Sequence, residues 1–385
     1  MRTLIAALIL ISVSTFPVAA KVVVFWHPGF PAVSSQPVAH ATLAHALEGM
    51  EPVFSDLDRL KDPAALAGAD LLVLAYGSAA PADAWGAIMT YLRSGGNLLV
   101  LGGQPLRVPV TRMDGKFVEG RPQDTYARDL NLQHTYEVPA PLGARFAWRA
   151  RYSFLPTPAV RARRFFAVEG RLNGLGYMVD ADGVEVAAPV IVMDRRAPVH
   201  PGCPGGGRGG AGWEAGGRIV MLDFEPEPGY WASDDGVSLI RQSAGYARGG
   251  ATEFSLELPF SAVKPGETPR VIVHLRNAQR ERLGAPLGGV VKIELLSGET
   301  VLQTKSVTVA GDREMRVDLA PQPSGFYTVR GVYEEGGRPR EFYQNAFWVE
   351  DQALLASGPV LGVAGDVLTR DGKPFFVMGT NYFTT

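Results

Sequence analysis

The sequence predicts an α/β domain with a doubly wound parallel sheet, then an all-β sandwich, then the start of a (β/α)8 barrel. Strand-like runs alternate with helical patterns at the start of the chain, which favours a parallel sheet. Short runs with period-two alternation follow over 252–350, and a tight turn with an apolar run stands at the end. We therefore expect a leader at 1–20 and domains at 21–250, 251–350 and 351–385.

Apolar runs and helical spacing define the elements of the first domain. The predicted strands are Lys21–Trp26, Pro52–Phe54, Leu71–Ala75, Asn97–Leu101 and Arg218–Phe224. The predicted helices are Val38–Leu47, Pro81–Gly95 and Gly236–Ala247. Pro81 stands at the position that proline prefers at the start of a helix, and Asp83 would lie in its positively polarised first turn.

The alternation breaks at Gln104 and returns only with the strand that begins at Arg218. Residues 104–217 are rich in Arg, Pro and Gly, with strand-like runs at Arg164–Val168 and Pro189–Met193. We expect this segment to be a partly β insertion in the second half of the domain.

Two passages of the first domain carry a family resemblance. They are Tyr91–Gly103, with the sequence YLRSGGNLLVLGG, and Gly217–Phe224, with the sequence GRIVMLDF. They resemble the class I glutamine-amidotransferase-like fold, a flavodoxin-like fold that serves as an accessory domain in bacterial glycoside hydrolases, including the trimerisation domain of family 42 β-galactosidases. The resemblance implies a flavodoxin-like domain through which the protein forms a homo-oligomer.

Seven runs with period-two alternation predict an immunoglobulin-like sandwich over 251–350. Turn residues such as Lys264-Pro265-Gly266 separate the runs. The runs are Phe254–Leu258, Arg270–Leu275, Val290–Leu296, Val301–Val309, Met315–Leu319, Phe326–Tyr333 and Phe342–Val349.

The C-terminal stretch carries a second resemblance, after an expected linker at Gln352–Ala364. The residues are Asp371, Gly372, Lys373, Pro374 and Phe375, followed by Gly379, Asn381 and Tyr382. They resemble the opening of the catalytic barrel in secreted glycoside hydrolases related to families 2, 5 and 42. The resemblance implies that the first barrel strand runs over Phe375–Tyr382, that Asn381 and Tyr382 contact substrate, and that the two catalytic glutamates lie on strands beyond Thr385.

The first twenty residues predict export to the cell exterior or the periplasm. Arg2 is followed by the apolar stretch Leu4–Val13, which is too short to span a bilayer, and Val18-Ala19-Ala20 precede an expected cleavage ahead of Lys21. The alternative is an uncleaved membrane anchor. After cleavage we expect no membrane association, and the net charge of -2 argues against nucleic-acid binding.

No motif in the sequence predicts a catalytic residue or a cofactor site. Where active amidotransferases carry a nucleophilic cysteine, this chain has Gly102-Gly103, and its one cysteine, Cys203, lies about a hundred residues away in the expected insertion. The glycine run Gly205–Gly212 lacks the spacing of a phosphate loop. We therefore expect no cofactor and a first domain that has lost its chemistry.

Several titratable residues near predicted strand ends are candidate site residues. His27 follows the first strand, while His40 and His45 are five residues apart, a poor spacing for one helix face, so we expect no metal site. Glu225 and Glu227 follow Arg218–Phe224 and could form an acid–base pair on a sugar, although carboxylates in a proline-rich loop more often line a solvated rim.

Two functions remain open from the sequence. The first is the accessory, non-catalytic N-terminal part of an exported, retaining glycoside hydrolase that acts on plant or microbial oligosaccharides or polysaccharides. The alternative is a complete exported module that binds carbohydrate or protein, in which the C-terminal stretch is an edge strand of the sandwich.

Overall fold

The structure is a computed structural model that describes residues 21–140, 143–149, 157–170, 172–195, 216–282, 284–311 and 314–376. Its strands are β1 (Lys21–Phe25), β2 (Pro52–Ser55), β3 (Ala69–Leu74), β4 (Ala79–Pro81), β5 (Leu98–Leu101), β6 (Val108–Met113), β7 (Lys116–Glu119), β8 (Leu132–Pro139), β9 (Arg145–Trp148), β10 (Ala162–Gly170), β11 (Asn173–Val179), β12 (Glu185–Asp194), β13 (Arg218–Leu222), β14 (Phe224–Pro226), β15 (Glu253–Glu257), β16 (Ala262–Val263), β17 (Arg270–Arg276), β18 (Gly288–Ser297), β19 (Thr300–Ala310), β20 (Glu314–Asp318), β21 (Gly325–Glu335), β22 (Arg338–Val349), β23 (Leu361–Ala364), β24 (Val367–Arg370) and β25 (Lys373–Pro374). Its α-helices are α1 (His40–Ala46), α2 (Leu57–Leu60), α3 (Trp85–Arg93), α4 (Thr125–Asp129), α5 (Asp234–Arg248), α6 (Ala278–Arg282) and α7 (Gln352–Ala356). The fold is therefore mostly β-sheet.

The largest sheet has eight strands in the order β2-β1-β3-β5-β13-β12-β11-β9. The strands from β2 to β13 in this order pair in parallel. β12, β11 and β9 extend the sheet by antiparallel pairing. The strands predicted for the first domain are thus confirmed, and the carboxyl ends of the parallel strands meet at one edge, where such sheets place ligand sites.

Helices cover both faces of the parallel strands. Val22 and Val24 of β1 face a core cluster that includes residues of α1 and α5. Val23 and Phe25 face a second cluster that includes residues of α2 and α3. Successive side chains of a strand point to opposite faces, so the unbroken apolar run of β1 is what a strand covered on both sides requires.

The helix expected from Pro81 begins with a 3₁₀ turn over Ala82–Ala84, for which Pro81 is the N-cap, and it becomes α-helical at Trp85. Pro81 ends β4, which pairs in parallel with β6, and its ψ of 82° lies outside the helical region. Asp83 lies in the first turn of this 3₁₀ helix, and its carboxylate accepts the backbone N–H of Arg112 at 3.0 Å. The pairing of β4 with a distant strand places Pro81 before the first turn and not inside it.

Residues 104–217 supply β6 to β12 and α4 in the parts that the structure describes. The predicted runs Arg164–Val168 and Pro189–Met193 lie within β10 and β12. β12 pairs with β13 in the main sheet, whereas β10 lies in a smaller sheet between β14 and β8. The segment therefore enlarges the α/β sheet directly.

The sandwich consists of one sheet with the order β15-β17-β20 and another with the order β16-β22-β21-β18-β19. Val273 of β17, Ile293 of β18 and Phe347 of β22 share one buried core. Each of the seven predicted runs overlaps a strand, but β22 begins at Arg338, four residues before the predicted Phe342. The hairpin from β21 continues its pairing to the turn, where Glu335 lies opposite Arg338.

Asn97, fully buried directly before β5, joins the main sheet to the sandwich. Its Nδ2 donates to the backbone oxygen of Asp70 and to Oε1 of Gln279, both at 2.7 Å. Its Oδ1 accepts the backbone N–H of Arg218 at 2.7 Å. Because Gln279 belongs to α6, between β17 and β18, one amide side chain connects three separate parts of the chain.

The Arg218 side chain makes a second set of buried contacts at this junction. Its Nε and Nη2 donate to the two carboxylate oxygens of Asp194 at 2.7 and 3.0 Å. Nη2 also donates to Glu341 of β22 at 3.2 Å. The guanidinium lies 4.0 Å from the centroid of the Tyr246 ring, so its planar face is covered as well.

The C-terminal region differs from the expected linker. Gln352–Ala364 contains α7 and β23, and β23 pairs with β24, which pairs with β25, in a small antiparallel sheet that we call the C-terminal meander (361–376). The turn predicted at Asp371-Gly372 is present, with φ of 51° and 75°. The predicted barrel strand Phe375–Tyr382 lies outside the described residues from 377 onward.

The leader at 1–20 and Cys203 also lie outside the described residues. Within the ranges given above, no helix is long and apolar enough to cross a membrane.

Candidate functional site

The turn after β5 lies at the carboxyl edge of the parallel strands, where the resemblance places the cysteine of active amidotransferases. Gly102 and Gly103 both have left-handed backbones, with φ of 78° and 67°. A Cβ at Gly102 would lie 2.5 Å from Oγ of Ser35 and 3.4 Å from the ring of Trp231. The indole N–H of Trp231 donates to Oγ of Ser35 at 3.3 Å, which fixes both side chains there. This turn has neither a nucleophile nor the space for one.

Asp223, which follows β13 at the same edge, is a buried acid. Asp223 is 1% exposed, and Oδ1 of its carboxylate has no hydrogen-bond partner among the described residues. Burial raises the pKa of this carboxyl well above its ordinary value because the charged form is poorly solvated. A group so far from solvent cannot meet a substrate, so its effect is on stability.

The candidate metal-ligating residues His27 and His40 make contacts within the fold. Nδ1 of His27 accepts the backbone N–H of Leu57 at 3.1 Å, at the start of α2. The ring of His40 packs on Phe54 with centroids 3.8 Å apart. Over the described ranges, no group of three or more His, Cys, Asp or Glu side chains could hold a metal ion.

The paired carboxylates after β13 do not form an acid–base pair. Glu225 is buried and accepts from Arg163 at 2.6 Å and from Arg164, so two cations hold its charge. Glu227 is exposed on the following turn. Asp234 and Asp235 lie in the first turn of α5, where acidic side chains favourably meet the positive end of the helix dipole.

Asn381 and Tyr382, the expected substrate contacts, lie outside the described residues. The structure therefore places neither of them.

The structure reveals exposed aromatic side chains at one end of the sandwich, which we call the aromatic end (Phe260, Phe326 and Trp348). Phe326 and Trp348 are opposite each other on β21 and β22, with ring centroids 4.8 Å apart, and they are 49% and 55% exposed. Phe260 is 70% exposed, and its neighbour Ser261 accepts the backbone N–H of Trp348. Exposed rings in a cluster are a common feature of binding surfaces.

The sequence analysis did not predict the aromatic end, although the sequence contains a pattern that indicates exposed rings. Phe326-Tyr327 and Phe347-Trp348 are consecutive aromatic pairs in two predicted strands. Successive side chains of a strand point to opposite faces, so one ring of each pair must point away from the core. In the structure Tyr327 and Phe347 are the buried members.

A second exposed apolar surface lies on the C-terminal meander and α7. The meander has one buried side chain, Thr369, within its described residues. Its large apolar side chains face solvent, with Phe376 90% exposed. The exposed apolar residues of this region are Leu354, Leu355, Val360, Leu361, Val363, Val367, Leu368 and Phe376.

We predict that Gly102→Cys creates no glutaminase or esterase activity and lowers the free energy of unfolding by about 3 kcal/mol. The new side chain would have to keep φ near 78° and displace Ser35. Glutamine and p-nitrophenyl acetate hydrolysis, with urea unfolding, measure both effects. Gly86→Cys is the control, because a Cβ at Gly86 meets no atom within 4 Å. A Gly102→Cys variant with wild-type stability and measurable turnover would contradict the conclusion that this turn has no space for a nucleophilic side chain.

We predict that Asp223→Asn stabilises the protein increasingly as the pH rises above about 4. The folded state keeps the Asp223 proton to a higher pH than the unfolded chain, so the wild type loses stability from the unfolded pKa upward to the folded pKa. Melting temperatures of the two proteins from pH 4 to pH 8 test this.

Asp318→Asn is the control with the opposite sign. The hydrogen bond and charge of Arg270 hold the pKa of Asp318 below its usual value, so this variant should lose stability at neutral pH and lose none at low pH. Equal melting temperatures for wild type and Asp223→Asn across the pH range would show that Asp223 carries no raised pKa.

The comparisons with known proteins are as follows. No protein-family model matches the chain, and no curated protein matches it. Similar solved structures include a β-galactosidase from Rahnella sp. R3, with 10% identity, 78% of this chain and 41% of that chain covered, and a TM-score of 0.36. They also include a β-galactosidase from Bacillus circulans sp. alkalophilus, with 10% identity, 78% and 42% covered, and a TM-score of 0.38.

A smaller part of the chain is similar to the CARDB domain of a Pyrococcus furiosus protein in complex with di-metal ions. That match has 16% identity, covers 26% of this chain and 88% of that chain, and has a TM-score of 0.20. The match to the two β-galactosidases, by contrast, spans about two fifths of their length.

Proposed function

We propose that this chain is the accessory, non-catalytic N-terminal part of an exported glycoside hydrolase that acts on plant or microbial oligosaccharides or polysaccharides. The observation that carries the proposal is the exposed apolar surface of the C-terminal meander. Three short strands without a shared core are not stable alone, and large exposed apolar surfaces mark contacts with other protein. A further folded unit that packs on the meander would resolve both problems.

Under this proposal, 351–385 leads into a retaining catalytic barrel of the β-galactosidase, β-mannanase or cellulase type. The turn at Asp371-Gly372 supports it, because that dipeptide opens the resemblance to the barrel sequences. Asn381 and Tyr382 would then contact the sugar. Two glutamates on later strands, about 5 Å apart, would act as acid/base and nucleophile.

We further propose that residues 21–250 form a flavodoxin-like, amidotransferase-like domain without amidotransferase chemistry. Numbered along the chain, its five parallel strands lie in the order 2-1-3-4-5, which is the flavodoxin order. The closed turn at Gly102 supports the loss of chemistry. Residues 251–350 would be an immunoglobulin-like spacer, and the first domain would provide a homo-oligomer contact.

The remaining parts of the proposal concern location and partners. The leader at 1–20 would direct the protein to the periplasm or the exterior, after which the mature chain would not associate with the membrane. Its partner would be the carbohydrate substrate of the whole enzyme, with no nucleic acid and no cofactor.

The aromatic end favours a second candidate, an exported carbohydrate-binding module. Flat, exposed rings such as Trp348 and Phe326 can stack on the apolar faces of sugar rings. In this case the C-terminal meander would be an integral part of the module.

The test compares the chain 21–385 with a chain that ends at Asp351. We expect the shorter chain to bind less hydrophobic dye and to aggregate less, with a melting temperature within about 2 °C of the longer one, because the described part of the removed segment, 352–376, buries no apolar side chain. Neither chain should hydrolyse a glycoside. The reading frame after the codon of Thr385 should continue for about 250 residues, the length of a barrel.

A stop codon directly after Thr385, or a fall in melting temperature of about 10 °C on removal of the tail, would contradict the proposal. Binding of the chain 21–385 to insoluble polysaccharide that Trp348→Ala abolishes would then favour the binding module. Tyr136→Ala, a change at an exposed aromatic of the first domain, is the matched control for that assay.

A further inference from the structure

A cavity of about 260 Å³ lies where the α/β sheet meets the sandwich. Its walls come from the segment Pro63–Asp70, from the end of α3 with Gly95-Gly96, and from Gln279 and Arg282 of α6. It is therefore at the amino ends of β3 and β5, opposite the closed carboxyl edge. Cavities at domain junctions with a few placed polar groups are preferred ligand sites, and this volume suits a ligand smaller than a typical drug.

Gln279 lines this cavity, and the Asn97 network fixes the orientation of its side-chain amide. The backbone N–H of Arg218 can only donate, so the Asn97 atom facing it is Oδ1, and Nδ2 faces Gln279. Nδ2 can only donate, so the Gln279 atom facing it is Oε1. The Gln279 NH2 group therefore points away from Asn97, and its Nε2 has no acceptor among the described residues.

The charged groups on the walls are one anion and one cation. Asp70 is buried, and its carboxylate lies 3.8 Å from Nε of Arg248. Arg282 donates to the backbone oxygen of Gly95 at 3.2 Å. An anionic ligand would be repelled by Asp70 and a cationic one by Arg282.

A ligand with hydroxyl groups suits Asp70, Gln279 and Arg282 together. Each hydroxyl can donate to a carboxylate and accept from an amide N–H or a guanidinium. Leu66 and Tyr91 on the wall offer apolar contact for carbon-bound hydrogens. We propose that the cavity walled by Asp70, Gln279 and Arg282 is a binding site for a small neutral polyhydroxy ligand, the class that includes monosaccharides. The choice of class draws on the proposed function, whereas the donor and acceptor pattern does not.

The test measures the binding of D-galactose, D-glucose and D-mannose to the chain 21–385 by saturation-transfer NMR and by calorimetric titration. We expect at least one hexose to bind with a dissociation constant of about 1 mM, since few contacts hold a small ligand. Ala67→Phe, which places a ring in the cavity from an exposed position, should weaken binding at least tenfold. Ala64→Phe, also exposed and outside the cavity wall, should change it less than twofold.

Gln279→Glu is the second variant. It keeps an oxygen to accept from Asn97 but removes the NH2 donor, so it should also weaken hexose binding at least tenfold, whereas Gln322→Glu should not. Inorganic phosphate and acetate test the ligand class and should bind more weakly than the hexose. The proposal is overturned by no hexose binding at about 50 mM, by tighter binding of phosphate or acetate, or by unchanged hexose binding in Ala67→Phe. None of these outcomes depends on the C-terminal meander, so a failure here is separate from a failure of the proposed function.

Discussion

The arrangement of the molecule depends on Arg218, the first residue of β13. Its guanidinium pairs with Asp194 in the main sheet and with Glu341 in the sandwich, and its own backbone N–H is held by Asn97. Removing such charges from water costs several kcal/mol per ion, so the pairing stabilises the protein only while both carboxylates remain in place. Separation of the sheet from the sandwich would break the buried contact between Arg218 and Glu341, which couples the two parts.

This junction lies at the amino edge of the parallel strands. At the carboxyl edge, side chains of the same domain fill the space at the Gly102 turn. Ser35 and Trp231 occupy the space beside Gly102, and Asp223, which follows β13, is buried. Clusters of exposed aromatic and apolar side chains lie on the aromatic end and on the C-terminal meander, which is why the proposed function is one of contact and not of catalysis.

The sequence predicted what depends on local pattern. The run at β1, the strands of the sandwich and the turn at Asp371-Gly372 are all in place, because periodicity and turn chemistry act over a few residues. The place of Pro81 was wrong, because it ends β4 and caps the 3₁₀ turn over Ala82–Ala84, and the pairing of β4 with β6 is not local. The donor orientation of Gln279 could not be predicted either, since it follows from Asn97, which is 182 residues away in the chain.

Calorimetric unfolding of the chain 21–385 and its Arg218→Met variant tests the coupling most directly. The wild type should unfold in one transition up to the sandwich, with equal calorimetric and van't Hoff enthalpies. Arg218→Met removes the buried cation that contacts both Asp194 and Glu341, and it should cost about 3–5 kcal/mol and separate the sheet and sandwich transitions. Arg270→Met, which breaks the exposed pair with Asp318, should leave one transition. A single transition at the wild-type temperature in Arg218→Met would contradict the account.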